Sequence, residues 1–446
     1  MSKFRLVAPF MIVMLVLTAC PAGDDGGGGG DGGGGSPGEG DGGGEGIVVT
    51  SLWGGEEGAA FEEVLAAFTE ETGIEAQFDS QRTDYAGQLR TRIEGGNPPD
   101  VAIIPGIGYL RGLVRDEYVI PLSELGINRE DIEGNYAPGV LDIGTVNDEL
   151  YAVMVKTNSK SAVWYQPSYF EEAGLTVPET YDEMLTVSEE ILASGKTPWA
   201  LGAAAPDSDW TLTDWFESVY IRQAGLDNYD ALFSGELAWT DQSVIDAVDT
   251  MKQILNDEFV TGGIEGAMGT DWISAIGSLY STDDAELYHA NAAAGGIAIN
   301  QVNTDLQEQI GTEIDYFPFP TINDSDPGIV TIGGDVIAAL TDKPGVAEFM
   351  EFMTGTTAGE TWVETGFIVS PVTGVSAESY PNELAAKEAQ QIAEATEVRF
   401  DGSDLLPGGP SLGGLLQSAL RGEEVEPLLE QFETEIQAAW EADRGG

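Results

Sequence analysis

Two tryptophans and one aspartate, Trp210, Asp214 and Trp215, stand within a stretch of six residues. An indole ring offers an apolar face and an N–H donor, and a carboxylate accepts hydrogen bonds from hydroxyl groups. Trp210 and Asp214 are four residues apart, so they share one face if the segment is helical. This combination suits a small ligand with an apolar face and a rim of hydroxyls, as a sugar has. We predict that these three residues contact a ligand, with at least one of the two rings in the core.

Residue types that carry common catalytic chemistry are scarce. The chain has one cysteine, Cys20, and one histidine, His289. A single cysteine forms neither an internal disulfide nor a thiolate metal site, and a lone histidine leaves little room for a catalytic triad. We predict no catalytic residue, no metal and no cofactor. Carboxylates are abundant, so a surface glycosidase that uses two of them stays open as an alternative.

The charge of the chain is strongly negative. Its 446 residues include 77 acidic and 18 basic ones, which gives a formal net charge of −59. Phosphate backbones and anionic membrane surfaces are repelled by such a field, so no nucleic acid is expected as a partner. We interpret the acidic excess as a hydrated surface. The length predicts more than one domain.

The first 46 residues predict export rather than a folded domain. In residues 1–20, two basic residues precede an apolar run that is too short to span a bilayer, which is typical of a signal peptide. The run ends in Leu17-Thr18-Ala19-Cys20, which resembles the bacterial lipoprotein box, where the cysteine is acylated. Residues 21–46 are nearly all Gly, Asp and Glu and predict a flexible tether. We predict a protein that is lipid-anchored at Cys20 on the outer face of the cell membrane.

Strands and helices alternate in the sequence that follows the tether. Apolar, β-branched runs at 47–53, 74–78 and 100–104 predict strands, and the segments 59–72 and 85–94 predict helices. This alternation is typical of a parallel sheet covered by helices, so we predict an α/β fold. Ligands of such sheets bind at the carboxyl ends of the strands.

Residues that follow the first two predicted strands are therefore candidates for ligand contact. Trp53 ends the first strand, and Gln81, Arg82 and Asp84 follow the second. The alternatives are that Trp53 covers the core of the sheet and that the three polar residues form a solvated loop. We predict ligand contact for all four.

A series of short motifs resembles one family. Gly95-Gly96-Asn97-Pro98-Pro99-Asp100-Val101 is similar to a GxxPPD stretch of the extracellular solute-binding proteins of sugar ABC transporters. Val163-Trp164-Tyr165-Gln166-Pro167 resembles the WYNP segment of the same family. With Phe400-Asp401-Gly402-Ser403-Asp404-Leu405-Leu406-Pro407, the set resembles the alpha-glucoside-binding branch. Each motif alone is weak, but the series keeps the family's order through residues 47–440.

The resemblance implies a periplasmic-binding-protein-like fold with two α/β lobes, hinge strands and a ligand cleft that closes on binding. It implies an N-terminal lobe of 47–157 and 286–328 and a C-terminal lobe of 158–285 and 329–446. It also implies ABC permease subunits with an associated ATPase as partners. The ligand it implies is a carbohydrate, an alpha-glucoside or a related oligosaccharide, and we expect a monomer.

Four more candidate residues follow from the lobe arrangement that the resemblance implies. Lys156 and Asn158 would lie where the chain first crosses between the lobes. Gly334 and Asp335 would form part of the second wall of the cleft. The alternative for Lys156 is an ion pair between the lobes.

The late motif and the single histidine complete the predicted site. Arg399, Asp401 and Asp404 would bind ligand hydroxyls or pair with one another to shape a loop. His289 falls where related sequences carry polar and aromatic residues, but small residues follow it here, and a lone histidine is more often structural. We include all four among the predicted ligand contacts.

Two further functions stay open beside sugar capture and glycosidase activity. The same fold could bind a compatible solute or a peptide, since aromatic boxes also hold quaternary ammonium groups by cation–π contact. A structural surface lipoprotein is the other alternative, and the two-lobed pattern gives no reason for it.

Overall fold

The structure is a computed structural model that describes residues 46–445 apart from 83, 206–207, 283, 291–292, 367 and 408. The predicted signal peptide, Cys20 and the tether up to residue 45 lie outside the described residues, so they stay predictions. Among the described residues, no helix has both the length and the hydropathy that a membrane span requires.

Eleven strands form in the described part of the chain: β1 (Ile47–Ser51), β2 (Ala76–Ser80), β3 (Val101–Ile104), β4 (Thr145–Val146), β5 (Glu149–Leu150), β6 (Ala152–Ser159), β7 (Ala162–Tyr165), β8 (Leu287–Ala290), β9 (Asp315–Pro318), β10 (Ile329–Ala339) and β11 (Glu397–Phe400). The α-helices in the same residues are α1 (Glu56–Thr72), α2 (Tyr85–Glu94), α3 (Ile107–Arg115), α4 (Arg129–Ile132), α5 (Val140–Ile143), α6 (Pro167–Ala173), α7 (Tyr181–Ala193), α8 (Trp210–Ala224), α9 (Leu226–Ser234), α10 (Gln242–Ile254), α11 (Gly263–Ala267), α12 (Trp272–Tyr280), α13 (Ala293–Ile297), α14 (Val346–Met353), α15 (Thr356–Val363), α16 (Glu383–Ala393), α17 (Leu412–Leu420) and α18 (Val425–Gly445). Short helical turns occur at Leu122–Leu125, Glu133–Asn135, Ala298–Val302, Thr304–Gln309, Ala377–Ser379 and Ser403–Leu405.

Helix α1 illustrates how the sequence sets these bounds. Phe61, Val64 and Phe68 recur at spacings of three and four residues, and all three are fully buried. Gly73 adopts a left-handed φ of 74° and donates a hydrogen bond from its N–H to Thr69 O at 2.9 Å. Glycine reaches this conformation without steric cost, so the helix ends there as predicted.

The first sheet contains β1, β2, β3, β6, β10 and β11. Strand β1 pairs in parallel with β2 and β3, as the alternation of strands and helices predicts. Strand β10 runs antiparallel to β3 and β6 and parallel to β11, so the complete sheet is mixed. All four residues of β3 are buried, as expected for a strand with both faces covered.

The second sheet places β7 between β8 and β9, and both pairs are antiparallel. Helix α8 belongs to the core beside this sheet, and residues 211–222 of it are all buried. That buried stretch includes the acidic residues Asp214 and Glu217. An interior helix of this kind must supply its charged side chains with partners.

The predicted division into lobes is wrong for the second half of the chain. Strands β8 and β9 pair with β7, so 286–328 packs with the C-terminal lobe rather than with the N-terminal one. Strand β10 pairs with β3 and β6, so 330–400 joins the N-terminal core. Residues 412–440 return to the core of the second sheet. The sequence identifies a strand by local pattern, but its partner is set by pairing between distant segments, which a local pattern does not report.

The chain accordingly crosses between the two cores after β6, near 329 and near 400. We call the body built on the first sheet the first lobe and the body built on the second sheet the second lobe. Leu405 packs against both cores, and it lies in the short turn that follows β11.

Candidate ligand-binding site

Three polar residues alternate along the strand that crosses between the lobes. Lys156 and Asn158 lie in β6, and Lys160 follows the strand directly. Alternate residues of a strand project from one face of a sheet, so the three side chains share a face. On β10, Gly333 pairs with Asn158, and a Cβ at Gly333 would lie 2.8 Å from Cε of Lys160. Glycine at this position therefore leaves room for the lysine side chain.

The first-lobe cluster comprises Trp53, Glu57, Lys156 and Asp335. The Lys156 ammonium forms an ion pair with Glu57, and its Nζ lies 5.4 Å from the centre of the Trp53 ring. Asp335 pairs with Lys156 in the register of β10 and β6, which places it in the same cluster. Burial raises the pKa of Asp335 to about 6, against the opposing charge of Lys156. Gly334, with φ 148°, precedes Asp335, and any Cβ there would collide with the Lys156 carbonyl oxygen.

The second-lobe cluster comprises Lys160, Trp210, Asp214, Asp401 and Asp404. Lys160 Nζ lies 3.0 Å from Asp401 Oδ2 and 3.2 Å from Asp214 Oδ1. The same atom lies 5.0 Å from the centre of the Trp210 ring. The side chain of Lys160 is 13% exposed, and those of Asp214 and Asp401 are 1% and 4% exposed. Water screens such interactions weakly, so the ammonium is held firmly between two carboxylates and an indole ring.

The carboxylates of the second-lobe cluster differ in protonation. Burial raises the pKa of Asp214 to about 8, although Lys160 opposes the shift. Burial acts in the same direction on Asp401, but Lys160 and a hydrogen bond from Ser403 bring the pKa of Asp401 below its usual value. The Asp404 side chain is exposed, yet partial desolvation and the charge of Asp401 raise its pKa to about 7. Crowding of like charges around one ammonium produces this spread.

A buried glutamate in α8 holds the turn that follows β11. Glu217 Oε2 accepts hydrogen bonds from the Gly402 N–H and the Tyr229 hydroxyl, both at 2.7 Å. Its Oε1 accepts one from the Ser403 N–H at 3.0 Å. Burial raises the pKa of Glu217 well above its usual value, and the charge of Asp401 acts in the same direction. Glu217 therefore acts as an internal support for the turn that carries the two aspartates.

A cavity of about 290 Å³ opens beside β6 and is lined by both lobes. Its described lining includes Lys156 and Asn158 but neither of the tryptophans Trp53 and Trp210. The Oδ1 atom of Asn158 is buried and has no hydrogen-bond partner among the described residues. Such an atom is a candidate acceptor for a ligand hydroxyl.

Glu388 of α16 also lines this cavity. Its Oε1 accepts a hydrogen bond of 2.7 Å from the N–H of Ser159, the last residue of β6. Burial raises the pKa of Glu388 to about 8. A titratable group thus contacts the backbone at the point where the chain crosses between the lobes.

The three polar residues predicted after β2 lie near the first-lobe cluster, and one of them is already hydrogen-bonded within the protein. Gln81 Nε2 donates a hydrogen bond to Asp79 Oδ1 at 2.7 Å. Arg82 is exposed, and its Cδ lies beside Gly54, which follows Trp53. Asp84 is exposed and starts α2 with a left-handed φ of 46°. Their contact with a ligand stays a prediction.

The structure places Trp215 and His289 in the core rather than on an open face. Trp215 is fully buried, with its ring centre 5.0 Å from Trp199 and 4.9 Å from His289. His289 is also fully buried, and its Nδ1 lies 2.8 Å from Ala162 O. Burial lowers the pKa of His289 to about 4, so the ring is neutral. Trp215 follows Asp214 by one residue and so turns from the helix face that Trp210 and Asp214 share toward the core.

Arg399 is likewise turned away from the aspartates of its own motif. Its Nε lies 2.7 Å from Asp230 Oδ1, and its Nη1 lies 3.0 Å from Glu397 Oε2. The expected pairing of Arg399 with Asp401 or Asp404 is therefore wrong. Residues two apart share a face only within a strand, and β11 ends at Phe400, so Asp401 does not continue the face of Arg399.

Two residues of the clusters, Lys160 and Glu57, are absent from the predicted set. Lys160 has a signal in the sequence, because it continues the alternation of Lys156 and Asn158 in a chain with few basic residues. Glu57 has none that distinguishes it from the other acidic residues of its helix. Glu217 also has a signal in the sequence, since it stands three residues after Asp214 and so on the same face of the helix.

Residues 53–360 match the model of a family described as bacterial extracellular solute-binding protein. The chain belongs to this family. The matched region covers most of the chain and confirms the predicted family. It contains β6, both lysines of the clusters and all of α8.

Individual relatives differ in what their names say they bind. The alpha-glucosides-binding periplasmic protein AglE of Rhizobium meliloti is 31% identical over 80% of this chain and 78% of its own length. The osmoprotective compounds-binding protein GgtB of Synechocystis is 29% identical over 92% of this chain and 93% of its own length. An uncharacterized ABC transporter extracellular-binding protein of Pyrococcus horikoshii is 29% identical over 54% of this chain and 56% of its own length.

Solved structures of low sequence identity share the fold of this solute-binding protein. The bacterial solute receptor AcbH superposes with a TM-score of 0.73 at 17% identity, over 88% of this chain and 97% of that one. RafE of Streptococcus pneumoniae superposes with a TM-score of 0.71 at 18% identity, over 88% of this chain and 97% of that one. The predicted α/β, periplasmic-binding-protein-like fold class is confirmed.

Proposed function

We propose that this solute-binding protein captures an uncharged glycoside, an alpha-glucoside or a related oligosaccharide, outside the cell. It delivers the glycoside to the permease of an ABC importer and performs no chemistry on it. It acts as a monomer that a lipid on Cys20 holds at the outer face of the cell membrane. The ligand lies between the two clusters and is enclosed when the lobes close.

The shared composition of the two clusters carries the proposal. Each has a tryptophan, a lysine close to its ring and more than one carboxyl group. One lysine lies in β6 and the other directly follows that strand. Lys156 and Lys160 are four residues apart, which puts their Cα atoms about 13 Å from each other at about 3.3 Å per residue. The partly exposed ring of Trp210 suits the C–H face of a sugar, whereas Trp53 is 2% exposed and covers the core against Phe61 and Trp362. The charged groups of both clusters supply donors and acceptors for the sugar hydroxyls.

A second candidate ligand is an osmoprotective solute. The relative from Synechocystis is named for such compounds and aligns with 92% of this chain. The relative from Rhizobium meliloti is named for alpha-glucosides and aligns with 80%. Both lysines already occupy positions beside the rings, which favours an uncharged solute over a quaternary ammonium one.

Thermal unfolding of the full chain against a solute panel tests the proposal. The panel holds two alpha-glucosides (maltose and trehalose), the β-linked cellobiose, glycine betaine and a dipeptide. A ligand that binds the folded state alone adds about 2.7 kcal/mol to the unfolding free energy at a hundredfold excess over Kd. We expect maltose or trehalose to raise the melting temperature and calorimetric titration to give one site per chain.

Other outcomes separate the alternatives. A rise with glycine betaine or the dipeptide alone would contradict the glycoside and leave the fold and the transport role in place. Release of a chromophore from a nitrophenyl glucoside would favour the glycosidase instead, since two carboxylates suffice for that reaction.

A further inference from the structure

The ammonium of Lys160 occupies a box with three walls. Asp401 Oδ2 and Asp214 Oδ1 lie 3.0 and 3.2 Å from Nζ, and the Trp210 ring centre lies 5.0 Å away. Asp214 and Asp401 are almost fully buried, while Lys160 and Trp210 keep some exposure. The box is therefore open on the side from which a ligand could approach.

An indole face flanked by carboxylates is also the arrangement that binds ammonium ligands. Without Lys160, the box would hold the ionised Asp401 beside Asp214 and no cation, a costly state that favours capture of a cation that fits. The side chain of Lys160 thus takes the position that an ammonium ligand would otherwise take.

The first-lobe cluster repeats the arrangement with different residues. Lys156 Nζ pairs with Glu57 and lies 5.4 Å from the Trp53 ring centre, with Asp335 nearby. The other residues of the two clusters come from distant segments of the chain, and the cations are Lys156 of the crossing strand and Lys160 directly after it. In each cluster, the position of a cation beside an indole ring is thus already occupied by a lysine.

We propose that Lys160 is a resident cation that fixes the charge class of the ligand, so that the site accepts uncharged hydroxyl-bearing solutes and excludes ammonium ones. The inference deepens the proposed function and rests on it for the identity of the natural ligand. The ammonium has three donors and contacts one oxygen each of Asp214 and Asp401, so these two contacts leave one donor for a ligand oxygen. Asp214 Oδ2 is buried without a partner among the described residues and accepts from a ligand hydroxyl. An uncharged polyol satisfies both atoms, whereas a cation meets the like charge of Lys160.

The chain offers a matched control in Lys387. Its Nζ lies 2.6 Å from Asp315 Oδ1 and 4.6 Å from the Tyr316 ring centre, so it also contacts one ring and one carboxylate. Its side chain is 41% exposed, and a single carboxylate faces it in that ion pair. Removal of Lys387 therefore leaves no buried group of carboxylates without a cation.

Chemical rescue with small amines tests the inference. Lys160→Ala removes three methylenes and the ammonium, the volume of n-propylammonium. Lys160→Met keeps the stem and empties the Nζ position alone, which ammonium ion itself fits. The melting temperature of wild type, both variants and Lys387→Ala is measured in n-propylammonium, ammonium and sodium chloride at equal ionic strength, with n-propanol as the uncharged analogue.

We expect n-propylammonium to stabilise Lys160→Ala and ammonium to stabilise Lys160→Met. Each variant should bind its cation about tenfold or more tightly than wild type does, which corresponds to about 1.4 kcal/mol. Lys387→Ala and wild type should respond to these salts as to sodium chloride, and n-propanol should have no effect. If Lys160→Met responds to ammonium no more strongly than wild type and Lys387→Ala do, the inference is overturned, even if Lys160→Ala fails to fold. Failure of wild type to bind any glycoside would contradict the proposed function alone, because the amine test needs no glycoside.

Discussion

Lys160 Nζ lies 3.0 Å from Asp401 Oδ2, and this contact joins the end of the crossing strand β6 to the turn that follows β11. Both residues stand at places where the chain passes between the lobes, and both are turned toward α8 of the second lobe. The pair therefore fixes two crossing segments against one helix. A ligand in contact with either residue would sense the relative position of the lobes.

Substitution of Asp401 by asparagine should weaken glycoside binding. Asp401 is ionised, because Lys160 and the hydrogen bond from Ser403 keep its pKa below the usual value despite burial. Loss of a charge-assisted hydrogen bond costs about 1.5–3 kcal/mol, so calorimetric titration should show Kd raised about tenfold or more. Asp230→Asn is the matched control, since Asp230 forms an exposed ion pair of 2.7 Å with Arg399. Equal Kd values for the two variants would contradict a role of Asp401 in binding.

The two neighbouring tryptophans of α8 should separate binding from stability. Trp210 is partly exposed beside Lys160, so Trp210→Ala should lower ligand affinity by about 1–2 kcal/mol with a small effect on unfolding. Trp215 is fully buried among Trp199, His289 and Phe319, so Trp215→Ala should cost about 3–5 kcal/mol of unfolding free energy. Denaturant unfolding and calorimetric titration of both variants check this. If Trp215→Ala instead lowers ligand affinity and Trp210→Ala lowers the unfolding free energy, the ligand contacts Trp215 rather than Trp210.

The sequence predicted local structure and the family well, because both follow from patterns within short segments. The parallel pairing of β1 with β2 and β3 and the end of α1 at Gly73 are examples. The lobe boundaries failed at β8 and β9, because the partner of a strand depends on segments more than a hundred residues away.

The candidate site was predicted in part for a similar reason. Residue type and the alternation along β6 suggested Lys156 and Asn158, and the same alternation extends to Lys160. The direction of a side chain was harder to predict than its place in the chain. Trp215 and Arg399 both stand beside cluster residues in sequence, and the helix and the strand end turn them elsewhere.

Replacement of Cys20 by serine should release the protein from the membrane. The prediction depends on the sequence Leu17-Thr18-Ala19-Cys20, since acylation needs the thiol. After fractionation of expressing cells, wild type should sediment with membranes and partition into detergent, whereas Cys20→Ser should not. Ser36→Ala, in the predicted tether, should behave as wild type. Membrane association that survives Cys20→Ser would contradict the lipid anchor.

Removal of the Glu217 carboxyl group should loosen the turn that carries Asp401 and Asp404. Glu217→Ala leaves the N–H groups of Gly402 and Ser403 without their acceptor, so affinity for the glycoside should fall about tenfold or more. Glu217→Gln keeps one acceptor oxygen, which can serve one of the two N–H groups, so it should lose less affinity than Glu217→Ala. Titration calorimetry compares the two variants.

The comparison between alanine and glutamine distinguishes support of the turn from general stability. Tyr229→Phe serves as a second check, because its hydroxyl contacts both Glu217 at 2.7 Å and the Gly402 N–H at 2.9 Å. Loss of binding in Glu217→Gln equal to that in Glu217→Ala would contradict the positioning role.

Glu388 should make the unfolding free energy depend on pH between about 4 and about 8. Burial raises the pKa of Glu388 to about 8 in the folded protein, while an unfolded glutamate titrates near 4.3. The folded state then binds the proton more tightly, so the contribution is fully present below the unfolded pKa and is lost as pH rises to the folded pKa. The loss amounts to at most about 1.4 kcal/mol per pH unit. Glu388→Gln lacks this titration, so its unfolding free energy should rise relative to wild type between pH 5 and 8.

Glu394 is an exposed residue next to α16 and provides the control. Glu394→Gln should keep the wild-type profile in urea unfolding at a series of pH values. A constant difference between Glu388→Gln and wild type across this range would show that the carboxyl group beside the Ser159 N–H is ionised throughout.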